Sequence, residues 1–475
     1  MPASLHLHRH LIRYRIVAAD ATGVGIRCPY TDDNGLNFAY FVYGSVPAWT
    51  AGNTSYDFSE LEPVQVYHLI TTREEHEESQ HIPSANTSSY GGSDYRWTGA
   101  LVSEGKVYDH VGFRARGGVW RYAMGKNMWK FDFHRGHRFQ ARDDYNEKYK
   151  RSWDKLNFSA LIQQGNFAQR GEQGLFEGAG FKLHNLAGNP APKTHYVHFR
   201  MIEHASETGS GSSRFDDDFQ GLYMAIEQMD GQFLSEHDLP DGNLYKMEGG
   251  TGTLNNQGSQ QPDNLSDLNA FFAYKNSSQS QQWWEEHLLL EDYYSFRAIA
   301  TAIHDYDIHA GKNYFYLHRP EDPEDPHSGK WQVLNWDLDL TWTTHYGGGG
   351  TRGPLSSRVL SIPHFALGYR NRTREIMDLL FNDEQTGLLL DEIAQFVYTP
   401  GSARSFVDAD KEMWDTNPIL SSSYVNSGKA GHNRYWQEVS PRNFGNMIGH
   451  VKNYIASQRS YMRSNILNAD ESRIP

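Results

Sequence analysis

The stretch Trp331-Gln-Val-Leu-Asn-Trp-Asp337-Leu-Asp339-Leu-Thr-Trp342 sets the reading of the whole chain. From Leu334 onward it alternates: Leu334, Trp336, Leu338 and Leu340 fall on one face, and Asn335, Asp337, Asp339 and Thr341 on the other. That period predicts a strand with one apolar face and one face carrying two acids. A carboxylate on a half-buried strand is costly unless positive charge sits against it. Two of them at i and i+2 on one face therefore ask for a cation. Upstream, His304-Asp305-Tyr306-Asp307 and then Asn313 form a second polar cluster. The two segments together are expected to hold a divalent metal and a nucleotide.

Working outward, Tyr293, Phe296, Ile299 and Ile303 recur at spacings of three and four, the stripe of a helix that delivers the chain to Asp307. Lys312 to His318 reads as a strand. The turn-rich Glu321–Gly329 joins it to the opening stretch as a hairpin, with Asn313 and Asp337 near one end. The glycine run Gly347–Gly350 reads as a loop, and residues from about 373 to the end as helices, over Glu375–Phe381, Gly387–Val397 and Phe444–Leu467. Toward the N-terminus the pattern is of strands: Val64–Thr72, a hairpin from Thr98 to Tyr108, Val111–Trp120, Lys126–Phe133, Lys193–Met201, Leu222–Gln228 and Gly242–Lys246. Ser84–Asp94 and 248–265 read as loops, and Asp32–Gly35 and Asp216–Gly221 as turns. Ala168–Glu177 is helical in period although glycines interrupt it.

Residues 1–60 read as a β-rich extension or the end of a preceding domain. In it His6, His8 and His10 share one face of a strand. The expected class is α+β with two lobes: 61–250 mainly the β-rich first lobe and 266–475 mainly the helix-rich second. The polar hairpin lies at their junction, a kind of place ligands favour.

Charge and cysteine narrow the function. The net charge of −14 disfavours nucleic acid as the main partner. A local basic pocket is still available from Arg114, Arg116, Arg121, Lys126 and Lys130. The lone Cys28 excludes internal disulfides and cysteine-based zinc sites. No run approaches the ~18 apolar residues of a membrane span, and the N-terminus lacks the apolar core of a secretory signal. Location is left open by the sequence; if the chain is part of a longer protein, a cell-surface or secreted setting and further domains attached at the N-terminus are open alternatives.

A helix ending in an acid, then an asparagine, then a hairpin strand bearing an acid is an arrangement suited to phosphoryl transfer. One Asp orients or deprotonates the acceptor, while the Asn and a second Asp hold magnesium on the nucleotide phosphates. Magnesium takes hard oxygen ligands and few of them from protein, which suits Asn313 and Asp337. A strand lysine paired with a helix carboxylate would grip the other phosphates, with Lys126 or Lys130 and Glu177 as candidates. The competing reading is a salt-bridged hairpin of purely structural role.

Over roughly residues 61–465 the chain resembles the spore coat protein H (CotH) family of atypical protein kinases. The resemblance is carried by Val64–Thr72, Arg114-Ala-Arg116-Gly117, Lys126-x-x-Trp129-Lys130-x-x-Phe133 and Gly221-Leu-Tyr-Met-Ala-Ile-Glu227-Gln228. It continues through Gly242-Asn-Leu-Tyr-Lys246, Asp307 with Asn313-Tyr-Phe-Tyr-Leu317, and Trp336-Asp337-Leu-Asp339. It implies a two-lobed atypical protein-kinase-like fold and ATP- and Mg²⁺-dependent transfer to Ser or Thr of a protein substrate, or to the enzyme itself. Mn²⁺ and Ca²⁺ are the alternative ions. Carried over residue by residue, Asp307 is similar to the catalytic aspartate, Asn313 to the metal-binding asparagine, and Asp337, with Asp339, to the metal-binding acid. Lys126 or Lys130 would contact phosphates, with Arg116 adding charge and Glu177 as the partner carboxylate. Glu227-Gln228 would form the hinge whose backbone receives adenine. The step from Asp307 to Asn313 is six residues, against five in ordinary kinases, so a different loop must close the site. His304 and Asp305 also depart from the family pattern. Other outcomes of such a fold are AMP transfer, amino-acid ligation such as glutamylation, or a non-enzymatic surface or assembly module.

Overall fold

A computed structural model of the chain describes residues 4, 6–29, 37–61, 63–80, 95–117, 126–162, 171–207, 217–308, 311–343, 353–415 and 433–467. The expected turn at Asp32–Gly35, the loops at Ser84–Asp94 and Gly347–Gly350, and Trp120 lie outside these residues. The chain is mixed α+β, with most strands in its first half and most helices in its second. It forms two compact units that interleave along the sequence. The first gathers Met1–Ala160, His195–Ile226 and Phe396–Arg434; the second gathers Leu161–Thr194, Glu227–Gln395 and Tyr435–Pro475. No single cut near residue 250 separates them. Among the described residues no helix is long and apolar enough to cross a membrane.

The first unit begins with small sheets: β1 (His10–Tyr14) and β4 (Phe38–Val42) pair antiparallel, as do β2 (Ile16–Ala19) with β3 (Gly25–Cys28), and β5 (Trp49–Ala51) with β6 (Thr54–Tyr56). A closed barrel comes next, built from β7 (Gln65–Ile70), β8 (Trp97–Ser103), β9 (Lys106–Arg116), β10 (Met128–Asp132), β11 (Lys155–Ser159), β12 (Thr194–Ile202) and β13 (Phe219–Glu227). Alternation along these strands sends Phe113, Trp129, Phe131, Phe158, Phe199 and Tyr223 into one aromatic core. Each such ring contributes about 1.5–3 kcal/mol on burial. Barrel closure leaves no open sheet edge to protect.

The described residues of 1–60 fall in this same unit. Arg13 forks onto Asp109 through two 2.7 Å bonds. Arg9 reaches Asp218 and Glu207, so Asp218 is a buried ion-pair partner and not merely a turn residue. Arg9 has φ 70° and β1 begins only at His10, so His6 and His8 precede the strand. His6 meets the Tyr40 hydroxyl and His8 accepts from the Gly44 N–H, so the three imidazoles do not form one strand face.

The second unit is built on a four-stranded antiparallel sheet of β14 (Asn243–Glu248), β15 (Thr251–Asn256), β16 (Tyr314–His318) and β17 (Trp331–Asn335), in the order β15-β14-β16-β17. The expected hairpin is present as β16–β17, in register from Tyr314↔Asn335 to His318↔Trp331. The expected loop at 248–265 instead contains β15. Helices cover the sheet, with Phe271, Trp284, Tyr293 and Phe296 packing on Tyr245, Tyr316 and Trp331. The helix Leu290–Ala302 is the one expected from the Tyr293/Phe296/Ile299 stripe.

Candidate active site

The long strand expected from Leu334 to Thr341 ends at Asn335. Asp337 has φ 64°, a left-handed backbone that cannot continue a ladder, so Asp337 and Asp339 do not share a strand face. Beyond Asn335 the chain crosses the unit as a tethered segment. The Tyr306 N–H donates to Leu340 O at 3.2 Å, and the Trp342 N–H donates to Ile303 O. The Trp342 indole N–H reaches Phe176 O at 3.1 Å. These bonds tie the segment after β17 to the end of the Leu290–Ala302 helix and to the helix Leu175–Leu186. Asp307 and the two acids after β17 are thereby drawn to one end of the second unit.

The Leu175–Leu186 helix forms despite its glycines, for identifiable reasons. At its start the buried Glu172 carboxyl accepts the N–H groups of Gly174 (3.0 Å) and Phe176 (2.9 Å), which the first turn would leave without partners. A Cβ at Gly180 would lie 2.8 Å from Leu338 Cδ1 and 3.4 Å from Ile303 Cδ1. The bare glycine therefore lets the helix press on Leu338, the residue between the two acids. Glu177 sits in the first turn, buried.

Around this crossing the acids crowd. Burial first, then the charges of Asp337, Glu177, Asp307 and Glu172, push the Asp339 carboxyl well above the ordinary carboxylate range. Asp305 is also buried and pushed well up, by burial and then by Asp307 and Asp337, while the Ile308 N–H donates to it at 3.2 Å. Asp305 is thus a buried residue closing the turn after the helix. Asp307 is the more accessible of the two. Its Oδ2 accepts from Asn313 Nδ2 at 2.7 Å, and its Oδ1 pairs with Lys312 Nζ at 2.6 Å. His304, Asn313, Asp337 and Trp342 all hold positive φ, at 50°, 63°, 64° and 57°. Left-handed non-glycine residues cost about 1–3 kcal/mol each and concentrate where function fixes the backbone. Lys312 was not among the sequence candidates, although its place next to Asn313 was a signal.

The donors offered by Asn313, Asp337 and Asp339 are hard oxygens, which suit magnesium. Because the Asn313 amide nitrogen is given to Asp307, its amide oxygen is the end that would meet a cation. Among the described residues no three His, Cys, Asp or Glu side chains form a metal cage. A magnesium held largely by phosphates and water needs only one or two protein carboxylates.

In the first unit the two candidate lysines have different fates. Lys126 is fully buried. Its ammonium donates to Asp410 Oδ1 at 2.8 Å and to Leu222 O, and lies 4.3 Å from the centre of the Tyr223 ring. Asp410 also accepts the Leu222 N–H at 2.9 Å. Gly221, at φ 92°, makes room, since a Cβ there would come 2.4 Å from Asp410 Oδ1. Lys126 is therefore a structural cation whose carboxylate partner is Asp410, not Glu177. Lys130 lies on the face of β10 turned away from the aromatic core, opposite Arg114 on β9 and Asn157 on β11. Burial, with Lys155, Arg114 and Arg116 near it, pulls its ammonium down to about 8 against the opposing pull of Asp132. This is a cluster of cations on one barrel face. Lys155, opposite Asp132 in the register, joins it without having been a sequence candidate.

Glu227 ends β13, where the chain passes from the first unit to the second. Its carboxylate is committed, accepting from the Lys193 N–H at 3.0 Å and pairing with His237 at 2.9 Å. The expected hinge role rests on the backbone of Glu227 and Gln228, and there the Glu227 N–H is itself given to Lys193 O at 3.0 Å.

No curated protein matches the chain. The sequence profile described as CotH kinase protein matches residues 114–462, a span that contains Arg116, both lysines, Glu177, Glu227, Asp307, Asn313 and the two acids after β17. With nearly three quarters of its length matched, the chain belongs to the CotH kinase protein family.

Proposed function

We propose that the protein is an ATP- and Mg²⁺-dependent phosphotransferase acting on Ser or Thr of a protein substrate, or on itself. The observation that carries this reading is the 2.7 Å bond from the Asn313 amide to the Asp307 carboxylate, at the head of a hairpin whose partner strand leads directly into Asp337. Asp307, Asn313 and Asp337 fall within 31 residues of sequence and are the residue types phosphoryl transfer uses; the charges of Asp307 and Asp337 both bear on Asp305 and Asp339. Family membership supports the same assignment.

In this reading Asp307 accepts the hydrogen bond of the acceptor hydroxyl and takes its proton as the phosphoryl group moves. Asn313 fixes the orientation of that carboxylate. Lys312 balances the Asp307 charge and offers an ammonium to the transferring phosphoryl. Asn313, Asp337 and Asp339 would hold magnesium, which when bound neutralises phosphate charge. Glu177 joins these acids rather than serving Lys126. Lys130, with Arg116 beside it, is assigned to the nucleotide phosphates, and the backbone at Glu227-Gln228 to adenine.

The test is transfer of labelled phosphate from ATP by the purified chain and by Asp307→Ala, with intact mass of the product. Transfer by wild type that is lost in Asp307→Ala, with the added mass of a phosphoryl group, supports the assignment. An adenylyl or glutamyl mass would replace the reaction, and a wild type that neither binds Mg²⁺-ATP nor transfers would remove the enzyme reading.

A further inference from the structure

A cavity of about 1170 Å³ opens within the first unit, between the N-terminal sheets and the barrel. None of the residues assigned to phosphoryl transfer lines it. Among the described residues its wall contains three carboxylates, Asp57, Glu104 and Asp144, and no lysine or arginine. Parts of this acid set are already engaged: Asp57 Oδ1 accepts from Ser59, and Asp144 Oδ1 accepts the Tyr196 N–H. Glu104 stands exposed on the tight turn between β8 and β9.

Two imidazoles also line the cavity. His68 and His198 are 7% and 2% exposed, and each has a buried Nε2 without a hydrogen-bond partner among the described residues. Burial, with Arg200 nearby, keeps both neutral, His68 at about 3 and His198 well below its ordinary value. Arg200 and Arg9 lie near this floor, but Glu207 and Asp218 pair with them, so they add little net charge. Phe41, Tyr43 and Phe58 supply aromatic surface.

The lining is therefore rich in acceptors and aromatic rings and carries negative charge. Anions, including nucleotides and phosphates, are repelled. A neutral sugar could be met by the hydroxyls and amides of the lining, such as Ser45, Gln65 and Asn146, but would leave the carboxylate charge unanswered. Lysine and arginine side chains are donors only and also bind over aromatic faces. The volume exceeds the ~300–1,000 Å³ of small-molecule pockets, which favours several residues of a chain over a metabolite. We propose that this cavity is a docking site for an extended protein segment carrying a lysine or arginine. Calling that segment a kinase substrate rests on the phosphotransferase reading; the binding does not.

The test uses the whole chain and two labelled Gly/Ser peptides of equal length, one bearing an Arg and a Lys, the other Gln at both places. Fluorescence anisotropy at low salt should show the basic peptide binding about tenfold more tightly than its Gln counterpart. Glu104→Lys should weaken it about fivefold without moving the melting temperature, because Glu104 is an exposed turn residue. Asp337→Ala should bind the peptide as wild type does. Equal binding of the two peptides, or binding unchanged by Glu104→Lys, overturns the proposal. So does spermidine binding at this site while the basic peptide does not bind, since that would make the ligand a small polyamine. A wild type that binds the peptide but turns over no ATP would sink the phosphotransferase reading alone.

Discussion

Lys126 and Lys130 are four residues apart, and replacing each by methionine should produce opposite phenotypes. Both members of the Lys126–Asp410 pair have fully buried side chains, and the N···O distance is 2.8 Å. Removing the ammonium leaves the Asp410 carboxylate in the interior with its Leu222 N–H contact but without its counter-charge, and leaves Leu222 O short of a donor. Breaking a buried pair from one side costs about 3–5 kcal/mol. At about 2–4 °C per kcal/mol for a unit of this size, Lys126→Met should melt about 6–20 °C lower. The double variant Lys126→Met/Asp410→Leu should regain part of that loss, because neither member of the pair is then left without the other; the Leu222 N–H still lacks its acceptor. Lys130 is different. It sits among Arg114, Arg116 and Lys155, so its removal relieves repulsion as it removes packing. Lys130→Met should melt within about 2 °C of wild type, as partly exposed substitutions do. Its Mg²⁺-ATP affinity should fall about tenfold or more, the loss of one charge-assisted phosphate contact. Thermal unfolding and calorimetric titration on the same preparations read both quantities. A Lys126→Met protein with wild-type melting and no nucleotide binding would refute the assignment of Lys126 to structure and return it to the phosphate site.

Asp337→Ala should abolish the thermal shift produced by Mg²⁺-ATP, whereas Asp339→Asn should only reduce it; equal losses would undo that ranking. Gly180→Ala gains about 1 kcal/mol of helix propensity but forces a methyl to 2.8 Å from Leu338 Cδ1, an overpacking worth about 1–3 kcal/mol. The net is a loss of up to about 2 kcal/mol by urea unfolding, and weaker nucleotide binding should accompany it because Leu338 separates the two acids. Buried His184 and His195 both have imidazoles pulled down to about 3, chiefly by burial. Their folded pKa lies below the unfolded value, so the stability they protect is complete above about 6.5 and is lost as pH falls from there toward 3. At pH 5 each should cost about 2 kcal/mol, and urea midpoints unchanged between pH 7 and pH 5 would contradict their burial as neutral groups.

What the sequence made legible, and what it hid, divides along a physical line. Properties set by neighbours a few residues away were readable: the helix before Asp307, the β16–β17 hairpin, and the barrel strands with their alternating aromatic residues. The alternation from Leu334 to Thr341 misled because it continues after the ladder has stopped. Leu338 is buried against the Leu175–Leu186 helix, beyond the end of the sheet, and Asp337 tolerates the left-handed backbone that ends the strand. β15 could have been found, since Gly249-Gly250 between two short runs is a hairpin signal, and both glycines hold positive φ. The fate of Lys126 could not have been read from its neighbours, because its partner lies 284 residues away and enters the first unit on a segment that comes after most of the second. The same applies to Glu177. Local pattern made it a helix carboxylate waiting for a lysine, but the fold sets it against Asp339 among acids. A lysine taken by another carboxylate and a carboxylate placed among other carboxylates are one finding seen from two sides. The glycines that looked like helix defects are what allow it: Gly180 brings the Glu177 helix onto Leu338, and Gly221 admits Asp410 beside Lys126. Charge in this chain is therefore positioned by missing side chains as much as by present ones, and a substitution that merely adds a methyl should disturb an ion site at either glycine, at Gly221 by direct contact with Asp410 Oδ1 and at Gly180 through Leu338.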